Sequence, residues 1–556
     1  MQKARFQTIK GTKYVYLETS HRVSGRTYPD HKRTYIGKMV DDQFIPNTKF
    51  FALPPEAQQA TGLNREAPSP PEKLRGRPTA SVGVRKFRGL DLLLSTVCSS
   101  IGLDRDLAKI FGERTPVMLS IAYYFISNPD AALYRFSSWS RLQFHPYEKD
   151  LSSPRSSELF GSITEDEIQQ FLHLRVQRSL GASGWLAIDT SSISSYSQGL
   201  SLVTKGRNKA HDRLDQINLL MVFDQDTDIP VFYRKLRGNL TDVTTVEQTL
   251  HDLQGIGIEQ ASLVLDRGFY SQDNVIHLLK KRYAFTVGTK ISLSFVKEAI
   301  YAVREEMMNP VSYDDQYRVF HAVQPITFSV PVRGHGPNER TAYLHLYCSK
   351  EKEADDTAAL MERLKKLRLQ LESGDITAGK KELETFFTLT RDKKGDITAF
   401  TENQQAIKEA LYRCGFFALL TSEKQLDSHH VLSIYRKKDR VEKSFNNLKD
   451  RLSLRRTRCS RNDNFNGKVF VQFIALMVVS HMRKVMSEQN LYARYSYRQL
   501  LDEVDVIEYF SYRNRAGHWG EITEKQGNIL QAFQAQLPAE AWPKNIQKKL
   551  ASKKKK

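Results

Sequence analysis

The chain has 556 residues, with 83 Lys or Arg against 63 Asp or Glu, and its formal net charge at pH 7 is +20. With 40% hydrophobic residues, this length can hold one large core and two or three smaller domains. The positive excess favours a polyanionic partner, because each phosphate that Lys or Arg neutralises releases condensed counterions. A merely basic, solvated surface is the alternative, and charge alone does not distinguish DNA from RNA.

Composition also argues against a zinc site, a secreted protein and a membrane protein. The chain has four cysteines, Cys98, Cys348, Cys414 and Cys459. They are too scattered for a Cys-x-x-Cys zinc pattern and indicate a reduced, intracellular protein. The N-terminus lacks an apolar signal core, so we expect a cytoplasmic location. The stretch 469–479 is the most hydrophobic, but it is far shorter than the roughly 20 residues that span a bilayer. We expect a buried helix there and no membrane partner.

The N-terminal part divides into a strand-forming segment and a linker. Residues 1–50 alternate apolar and polar side chains, as in 13–17 and 33–38, which predicts a small basic β module. This module could contact a DNA backbone or simply form a cap with a solvated face. Residues 51–87 are rich in Pro, Ala and Arg and predict a linker.

Residues 88–180 predict a helical domain. Apolar residues recur at three-to-four spacing, as at Leu94, Val97 and Ile101. The pattern Ser162-x-x-Glu165 predicts a capping box that opens a further helix. This domain could bind DNA ends, position a second subunit or brace the rest of the protein.

The segment 181–290 changes to an α/β pattern. Strands are predicted at 185–189, 215–224, 230–236, 261–266 and 283–288, with helices near 242–254 and 272–282. This is the element order of an RNase-H-like α/β sheet, in which the first and fourth strands lie side by side. Asp189 ends the first strand and Asp266 ends the fourth, so we expect the two carboxylates to meet.

The rest of the chain is interpreted as an insertion, the return of the core and a tail. Residues 291–414 indicate a β-rich insertion with a helix, whose leucines between 360 and 371 form a packing stripe. Residues 415–485 indicate the second part of the core. Residues 486–556 predict a helical tail with a Lys-rich end.

A third acidic residue, Glu442, lies in a stretch that predicts a helix. Three converging carboxylates are what a pair of hard divalent cations needs, and paired metals cut and join phosphodiesters. Tyr435, Lys438, Phe445 and Lys449 share one helix face with Glu442, at spacings of three and four. Such a face indicates a charged ligand, and from the residues alone a surface helix with ion pairs is equally compatible.

These motifs resemble the DDE transposases of bacterial insertion sequences, in the insertion-sequence-four-like group. Members carry a first Asp after an apolar strand, an Asp-Arg-Gly-Phe/Tyr motif and a Tyr-x2-Arg-x3-Glu-x6-Lys helix. This chain has Asp189, then Asp266-Arg267-Gly268-Phe269, then Tyr435-x2-Lys438-x3-Glu442-x6-Lys449. It departs at Lys438, where the motif has Arg. Lys keeps the charge but lacks the planar fork that lets Arg bind phosphate bidentately. The stretch Gly206-x2-Lys209-x3-Arg213-x-Asp215-Gln216 is also similar to one in this group.

The resemblance implies an RNase-H-like catalytic core interrupted by a β-rich insertion, with an N-terminal β module and a helical domain. It implies two Mg²⁺ ions, replaceable by Mn²⁺, as cofactors. The implied metal ligands are Asp189, Asp266 and Glu442. The implied DNA-binding residues are Tyr435, Lys438, Lys449, Arg267, Arg213 and Lys209.

The implied activity is cleavage at the element ends and strand transfer into a target. The implied partners are double-stranded DNA, as terminal inverted repeats and as target, and a second copy of the chain on paired ends. Two alternatives stay open from the sequence. One is a non-catalytic, transposase-derived DNA-binding protein, and the other is a metal-dependent DNA nuclease that does not join strands.

Overall fold

The computed structural model divides into two compact units, Met1–Val82 and Gly83–Lys556. It describes residues 3–9, 11–22, 29–40, 42–63, 83–129, 131–179, 184–197, 199–206, 214–240, 242–258, 261–332, 336–392, 397–438, 456–457, 459, 461–512 and 515–547. Four predicted site residues lie outside the described residues, namely Lys209, Arg213, Glu442 and Lys449. The Lys-rich C-terminal end also lies outside them.

The first unit is a four-stranded antiparallel sheet with two short helices. Its strands, in sheet order, are β1 (Arg5–Ile9), β2 (Thr12–His21), β3 (Asp30–Val40) and β4 (Gln43–Pro46). The strands expected from the alternating pattern are therefore present. The helices are α1 (Thr48–Phe51) and α2 (Pro55–Ala60). Part of the segment interpreted as a linker thus folds as α2, whose first residue is a proline, a residue favoured at that position.

The second unit begins with one strand and a group of helices. These are β5 (Val84–Phe87), α3 (Gly89–Ser100), α4 (Leu103–Phe111), α5 (Thr115–Ser127), α6 (Phe136–Leu142), α7 (Ser153–Gly161) and α8 (Glu165–Ser179). The helices predicted for this region are present, and their apolar faces form one core with the central sheet. Burial of these faces, more than intrinsic propensity, stabilises such short helices.

The capping box of α8 was predicted at the wrong residue. Thr164 and Glu167 form the reciprocal pair: the Glu167 backbone N–H donates to Thr164 Oγ1 (3.3 Å), and the Thr164 N–H donates to Glu167 Oε2 (3.0 Å). The hydroxyl of Ser162 instead donates to the carbonyl of Leu159. Both hydroxyl residues have a Glu three positions later, so the local pattern does not distinguish them.

A ten-stranded mixed sheet forms the centre of the second unit. Its core strands are β6 (Trp185–Ser195), β7 (Gln216–Asp224), β8 (Pro230–Arg237), β9 (Ser262–Leu265) and β10 (Ala284–Thr289), with helices α9 (Val246–Gly255) and α10 (Gln272–Lys281) between them. They lie side by side in the order β8-β7-β6-β9-β10. β9 is parallel to both β6 and β10, whereas β7 is antiparallel to β6. The prediction that the first and fourth strands are neighbours is correct.

The segment interpreted as a β-rich insertion contains more helix than expected. It holds α11 (Ser294–Met307), β11 (Tyr313–Asp314), β12 (Val319–Val330), β13 (Asn338–Cys348), α12 (Lys350–Ser373), α13 (Lys380–Phe386), β14 (Phe387–Arg391), β15 (Ile397–Glu402) and α14 (Gln404–Tyr412). Two of these helices span fewer than ten residues, too short for a helical period to stand out in the sequence. Of the predicted leucine stripe on α12, the last three members are buried.

The hairpin β12–β13 extends the central sheet. It pairs through β13 with β16 (Phe416–Thr421), which in turn is antiparallel to β10. β16 is followed by α15 (Ser428–Lys437), and the two-residue strand β17 (Arg456–Thr457) pairs with the far end of β6. The sheet therefore runs without a break from the core strands into the inserted segment.

The most hydrophobic stretch is a buried helix, as predicted. α16 (Asn462–Glu488) is the one helix among the described residues that is long and apolar enough to cross a membrane. However, 78% of its apolar window is buried inside the protein. A core helix of this kind passes the same test, so α16 is weak evidence for a membrane.

The C-terminal segment is not entirely helical. After α17 (Tyr497–Asp505) come β18 (Glu508–Tyr512), β19 (Arg515–Trp519) and α18 (Glu524–Ala532). β18 pairs with both β19 and β5, so the two ends of this unit meet in one small sheet. The prediction of a helical tail missed these strands, because one partner of β18 lies more than 400 positions away in the sequence.

Candidate active site at the ends of two parallel strands

Two aspartates lie at the aligned ends of neighbouring parallel strands. The last Cα pair between β6 and β9 joins Ile188 to Leu265, and Asp189 and Asp266 directly follow these residues. β9 ends there, and the chain turns into a short 3-10 helix at Arg267. β6 continues beyond Asp189, whose Oδ1 accepts a hydrogen bond from the Thr190 N–H (2.8 Å). Parallel pairing thus places both aspartates at the same edge of the sheet.

The carboxylate of Asp266 is held by two residues from the end of α15. The Tyr435 hydroxyl donates to Asp266 Oδ1 over 3.0 Å, and Lys438 Nζ lies 3.5 Å from the same oxygen. Tyr435 is in the last turn of the helix and Lys438 is its C-cap. A spacing of three puts both on one face. Two members of the face predicted from the sequence therefore converge on the second aspartate.

The electrostatic environment keeps Asp266 ionised. Burial by itself would raise the pKa of this carboxyl group. The charge of Lys438, the backbone N–H of Arg267 and the hydroxyl of Tyr435 outweigh burial, and the pKa of Asp266 lies below its usual value. Lys438 exposes only 7% of its side chain, so its charge is poorly screened by water. A carboxylate in this setting is negatively charged at neutral pH.

A glycine makes room for this contact. A Cβ atom at Gly288, near the end of β10, would stand 2.6 Å from the Tyr435 hydroxyl oxygen and 3.1 Å from the Arg267 nitrogen. The first distance is shorter than real Cβ contacts allow. Sequence reasoning missed Gly288, although a glycine inside an apolar strand is a signal that another group approaches the backbone closely.

Helix α15 is fixed to the sheet by hydrogen bonds at both ends. At its start, the Ser428 hydroxyl lies 3.0 Å from Nδ1 of His345, and the Ser428 carbonyl accepts from the Tyr347 hydroxyl (2.8 Å). Near its end, the Gln225 side-chain amide donates to the Ile434 carbonyl (3.1 Å). His345 and Tyr347 belong to β13. The inserted hairpin thus helps to hold the helix that carries Tyr435 and Lys438.

The two aspartates suit a hard divalent cation. Carboxylate oxygens are the ligands that Mg²⁺ and Mn²⁺ prefer, and the Lys438 ammonium beside Asp266 shows that this position already attracts positive charge. Within the described ranges, no three His, Cys, Asp or Glu side chains are grouped to hold a metal ion. Glu442, the predicted third ligand, lies outside those ranges.

Comparison with known proteins identifies the family. Residues 183–478 match the family model of the transposase DDE domain, which is more than half of the chain. The chain belongs to the transposase DDE domain family. The matched part of the transposase domain includes both aspartates, the end of α15 and Glu442. The match does not distinguish groups within the family, so membership in the insertion-sequence-four-like group stays a prediction.

Other comparisons are more distant. Among solved structures, the chain is similar to a piggyBac transposase in a synaptic complex with hairpin DNA, determined by cryo-EM. The two are 11% identical, the similarity covers 75% of this chain and 76% of that chain, and the TM-score is 0.34. No curated protein matches the chain.

Proposed function

We propose that the protein is a DDE-type DNA transposase that cleaves insertion-sequence ends and transfers them into target DNA. The observation that carries this proposal is the pair Asp189 and Asp266 at aligned strand ends, within a segment that belongs to the transposase DDE domain family. The net charge of +20 supports DNA as the partner.

The strand order supports an RNase-H-like core as its framework. The first three strands are antiparallel neighbours, and the fourth and fifth follow on the other side of the first, parallel to it. In this interpretation, residues 291–414 are an insertion between β10 and β16. The insertion contributes β12 and β13 to the sheet and separates the second aspartate from Glu442 along the chain.

The proposed metal ligands are Asp189, Asp266 and Glu442, which would hold two Mg²⁺ ions or two Mn²⁺ ions. When bound, such ions act as Lewis acids that activate the attacking oxygen and stabilise the leaving oxygen of a phosphodiester. The chain's own part is to present ionised oxygen ligands. Asp266 meets this need, because Lys438 and Tyr435 keep its pKa low and fix one of its oxygens.

The neighbouring cations would position the DNA. Arg267 follows Asp266 directly and its side chain is exposed, so it is able to contact a phosphate next to the cleaved bond. Lys438 keeps the charge that the motif requires but is buried against Asp266. Lys209, Arg213 and Lys449 are proposed as further DNA contacts on the basis of the resemblance alone.

The proposed substrates are double-stranded terminal inverted repeats and a target duplex. A homodimer on paired ends, working in a bacterial cytoplasm, is part of the same proposal. Both features follow from the resemblance to bacterial insertion-sequence transposases.

The proposal is tested with purified protein, Mg²⁺ or Mn²⁺, and a labelled duplex that carries the inverted repeats flanking the gene. We expect nicked and joined products from the unmodified protein and none from Asp189→Asn, Asp266→Asn or Glu442→Gln. Asp273→Asn is the matched control, because this carboxylate is exposed in the first turn of α10. A band shift without cleavage would indicate a DNA-binding protein, and nicking without joining would indicate a nuclease. Joining by Asp266→Ala would refute the site.

A further inference from the structure

A cavity of about 580 Å³ opens beside Asp266. Its walls are the start of the 3-10 helix after β9, the end of β10 and the first residues of β16, with Tyr435 and Lys438 closing one side. In the sheet, β10 and β16 lie on the opposite side of β9 from β6. The cavity therefore extends from Asp266 in the direction away from Asp189. Its volume is within the range of about 300–1,000 Å³ found for ligand pockets.

The cavity carries an excess of positive charge. Four cations and one carboxylate, Asp266, line it. Lys438 is paired with Asp266, and Lys352 is paired with Asp356 at 2.6 Å. The other two cations are Arg267 and Lys290. Both side chains are exposed, and no ion pair joins either of them to another described residue. Within the described part of the chain, two positive charges are thus available to a ligand with negative charge, directly beside the proposed metal site.

The position of these charges fits an extended ligand. From β9 to β16 is two inter-strand spacings, about 10 Å, which matches two or three stacked nucleotides at about 3.4 Å each. Lys290 comes directly after β10, Arg267 begins the 3-10 helix that follows β9, and both line the cavity. A strand whose phosphodiester lies at the two aspartates would pass Arg267 first and Lys290 next.

We propose that this cavity binds the sugar–phosphate backbone of the DNA strand next to the cleaved phosphodiester, with Lys290 and Arg267 as its phosphate contacts. This inference rests on the proposed function, because it takes Asp189 and Asp266 as the position of the cleaved bond. Lys290 was not among the residues predicted from the sequence. The sequence signal for Lys290 is its position, because it follows a core strand that is parallel to the strand ending just before Asp266.

The test compares the salt dependence of DNA binding. The full-length protein binds a fluorescent oligothymidylate of about 12 nucleotides, and the binding constant is measured between about 50 and 200 mM salt. For Lys290→Gln we expect the slope of log K against log salt to fall by about 0.7, the value of one phosphate contact on a single strand. Lys290→Arg should keep the slope. Lys280→Gln changes a lysine on α10 that is also exposed but does not line the cavity, and it should keep the slope as well.

A second variant distinguishes the loss of a phosphate contact from misfolding of Lys290→Gln. Ser292→Glu adds a negative charge at an exposed residue of the cavity wall, and it should weaken oligonucleotide binding several-fold without changing the melting temperature. Equal slopes for Lys290→Gln and Lys280→Gln, or normal binding by Ser292→Glu, would overturn the inference. A third outcome would also overturn it. If inorganic phosphate raises the melting temperature of the unmodified protein but not that of Lys290→Gln, and the salt slopes of Lys290→Gln and Lys280→Gln are equal, the cavity is a site for a small anion.

The inference and the proposed function fail in different ways. Metal-dependent nicking of a supercoiled plasmid is measured on Asp266→Asn in parallel. If this variant loses nicking while Lys290→Gln keeps its salt slope, the cavity inference is wrong and the proposed function stands. If Asp266→Asn still nicks, the proposed function is wrong, whatever the slopes are.

Discussion

The hydroxyl oxygen of Tyr435 lies against the backbone of Gly288, so close that no side chain fits between them. A Cβ atom there would stand 2.6 Å from that oxygen. The same hydroxyl donates to Asp266 Oδ1. Because Gly288 is on β10 and Tyr435 is on α15, this contact sets how closely the helix approaches the strand ends. The proposed metal site thus requires a glycine at position 288, because any side chain there would displace Tyr435 from Asp266.

Gly288→Ala should therefore impair the proposed cleavage reaction. The new methyl group displaces the Tyr435 hydroxyl, and Asp266 loses a hydrogen bond to a charged acceptor, a bond worth about 1.5–3 kcal/mol. We expect metal-dependent cleavage of a labelled duplex to fall by about tenfold to a hundredfold, with a small change in melting temperature.

A double-mutant cycle identifies the cause. Tyr435→Phe removes the hydroxyl that the methyl group would meet, so Gly288→Ala should cost little more activity in that background. Additive losses would show that the alanine acts through some other contact, for example with the Arg267 nitrogen, which would lie 3.1 Å away.

Lys438 is expected to matter through its charge. Lys438→Met keeps a side chain of similar length in a buried position but removes the cation 3.5 Å from Asp266. The pKa of Asp266 then rises, because Lys438 is the largest of the groups that lower it. We expect the variant to require more Mn²⁺ for half-maximal cleavage, and its activity to recover partly as the pH is raised.

Lys437→Met is the control for this experiment. It removes the same charge from the neighbouring residue, whose side chain is exposed. The two variants are compared by titrating Mn²⁺ in the cleavage assay. The same requirement for Mn²⁺ in both would contradict a specific role for the Lys438–Asp266 pair.

The core sheet was predictable because its signals are local and ordered. Each core strand is a short apolar run, and the order of strands and helices along the chain limits the arrangements of the sheet. The neighbouring ends at Asp189 and Asp266 follow from that order. Tyr435 and Lys438 were expected on one helix face because of their spacing of three, and both meet Asp266. Their contact with DNA stays a prediction.

The parts that were missed depend on contacts between distant residues. The position of Gly288 is explained only by a hydroxyl from α15, and no local pattern encodes that approach. The insertion was expected to be β-rich, but the place of β13 beside β16 depends on contact with a strand about 70 positions further along the chain. In the same way, β18 pairs with β5 from the other end of the unit. The prediction of the capping box was wrong for another reason. Ser162 and Thr164 each have a Glu three positions later, so the sequence does not distinguish them.

A buried histidine should make the stability of the protein depend on pH. His345 is 1% exposed, and burial lowers its pKa from the usual 6.5 to about 4. As the pH falls, the unfolded chain takes up this proton before the folded one does. The contribution of His345 to the free energy of unfolding is therefore complete above about pH 6.5 and is lost progressively as the pH falls towards 4. The shift corresponds to about 3 kcal/mol over that range.

His345→Gln should flatten this part of the pH profile, because an amide can still hydrogen-bond to Ser428 but does not titrate. The measurement is the melting temperature between about pH 6.5 and 4.5. His430→Gln is the control, since its side chain is 66% exposed at the surface of α15. If His345→Gln leaves the slope of melting temperature against pH unchanged, the pH dependence comes from other groups. One such group is His145, whose pKa is also lowered by burial to about 4.

The helical region contains a buried ion pair that should be needed for stability. Asp106 on α4 and Arg175 on α8 are each 1% exposed, and they pair at 2.8 Å. Arg175 also donates to the Ile101 carbonyl over 2.7 Å. Arg175→Met removes the buried one of the two cations that compensate the Asp106 carboxylate, and breaking a buried ion pair in this way costs up to about 3–5 kcal/mol. Arg175→Met should therefore lower the melting temperature strongly.

Two further variants separate the buried pair from its surroundings. Arg178 also pairs with Asp106, but 42% of its side chain is exposed, so water compensates for part of this contact and Arg178→Met should cost less than Arg175→Met. The double variant Asp106→Leu and Arg175→Met replaces both charges with apolar groups and should recover much of the loss, because no buried charge is left. If the double variant were as unstable as Arg175→Met alone, the loss would come from packing between α4 and α8 rather than from Asp106.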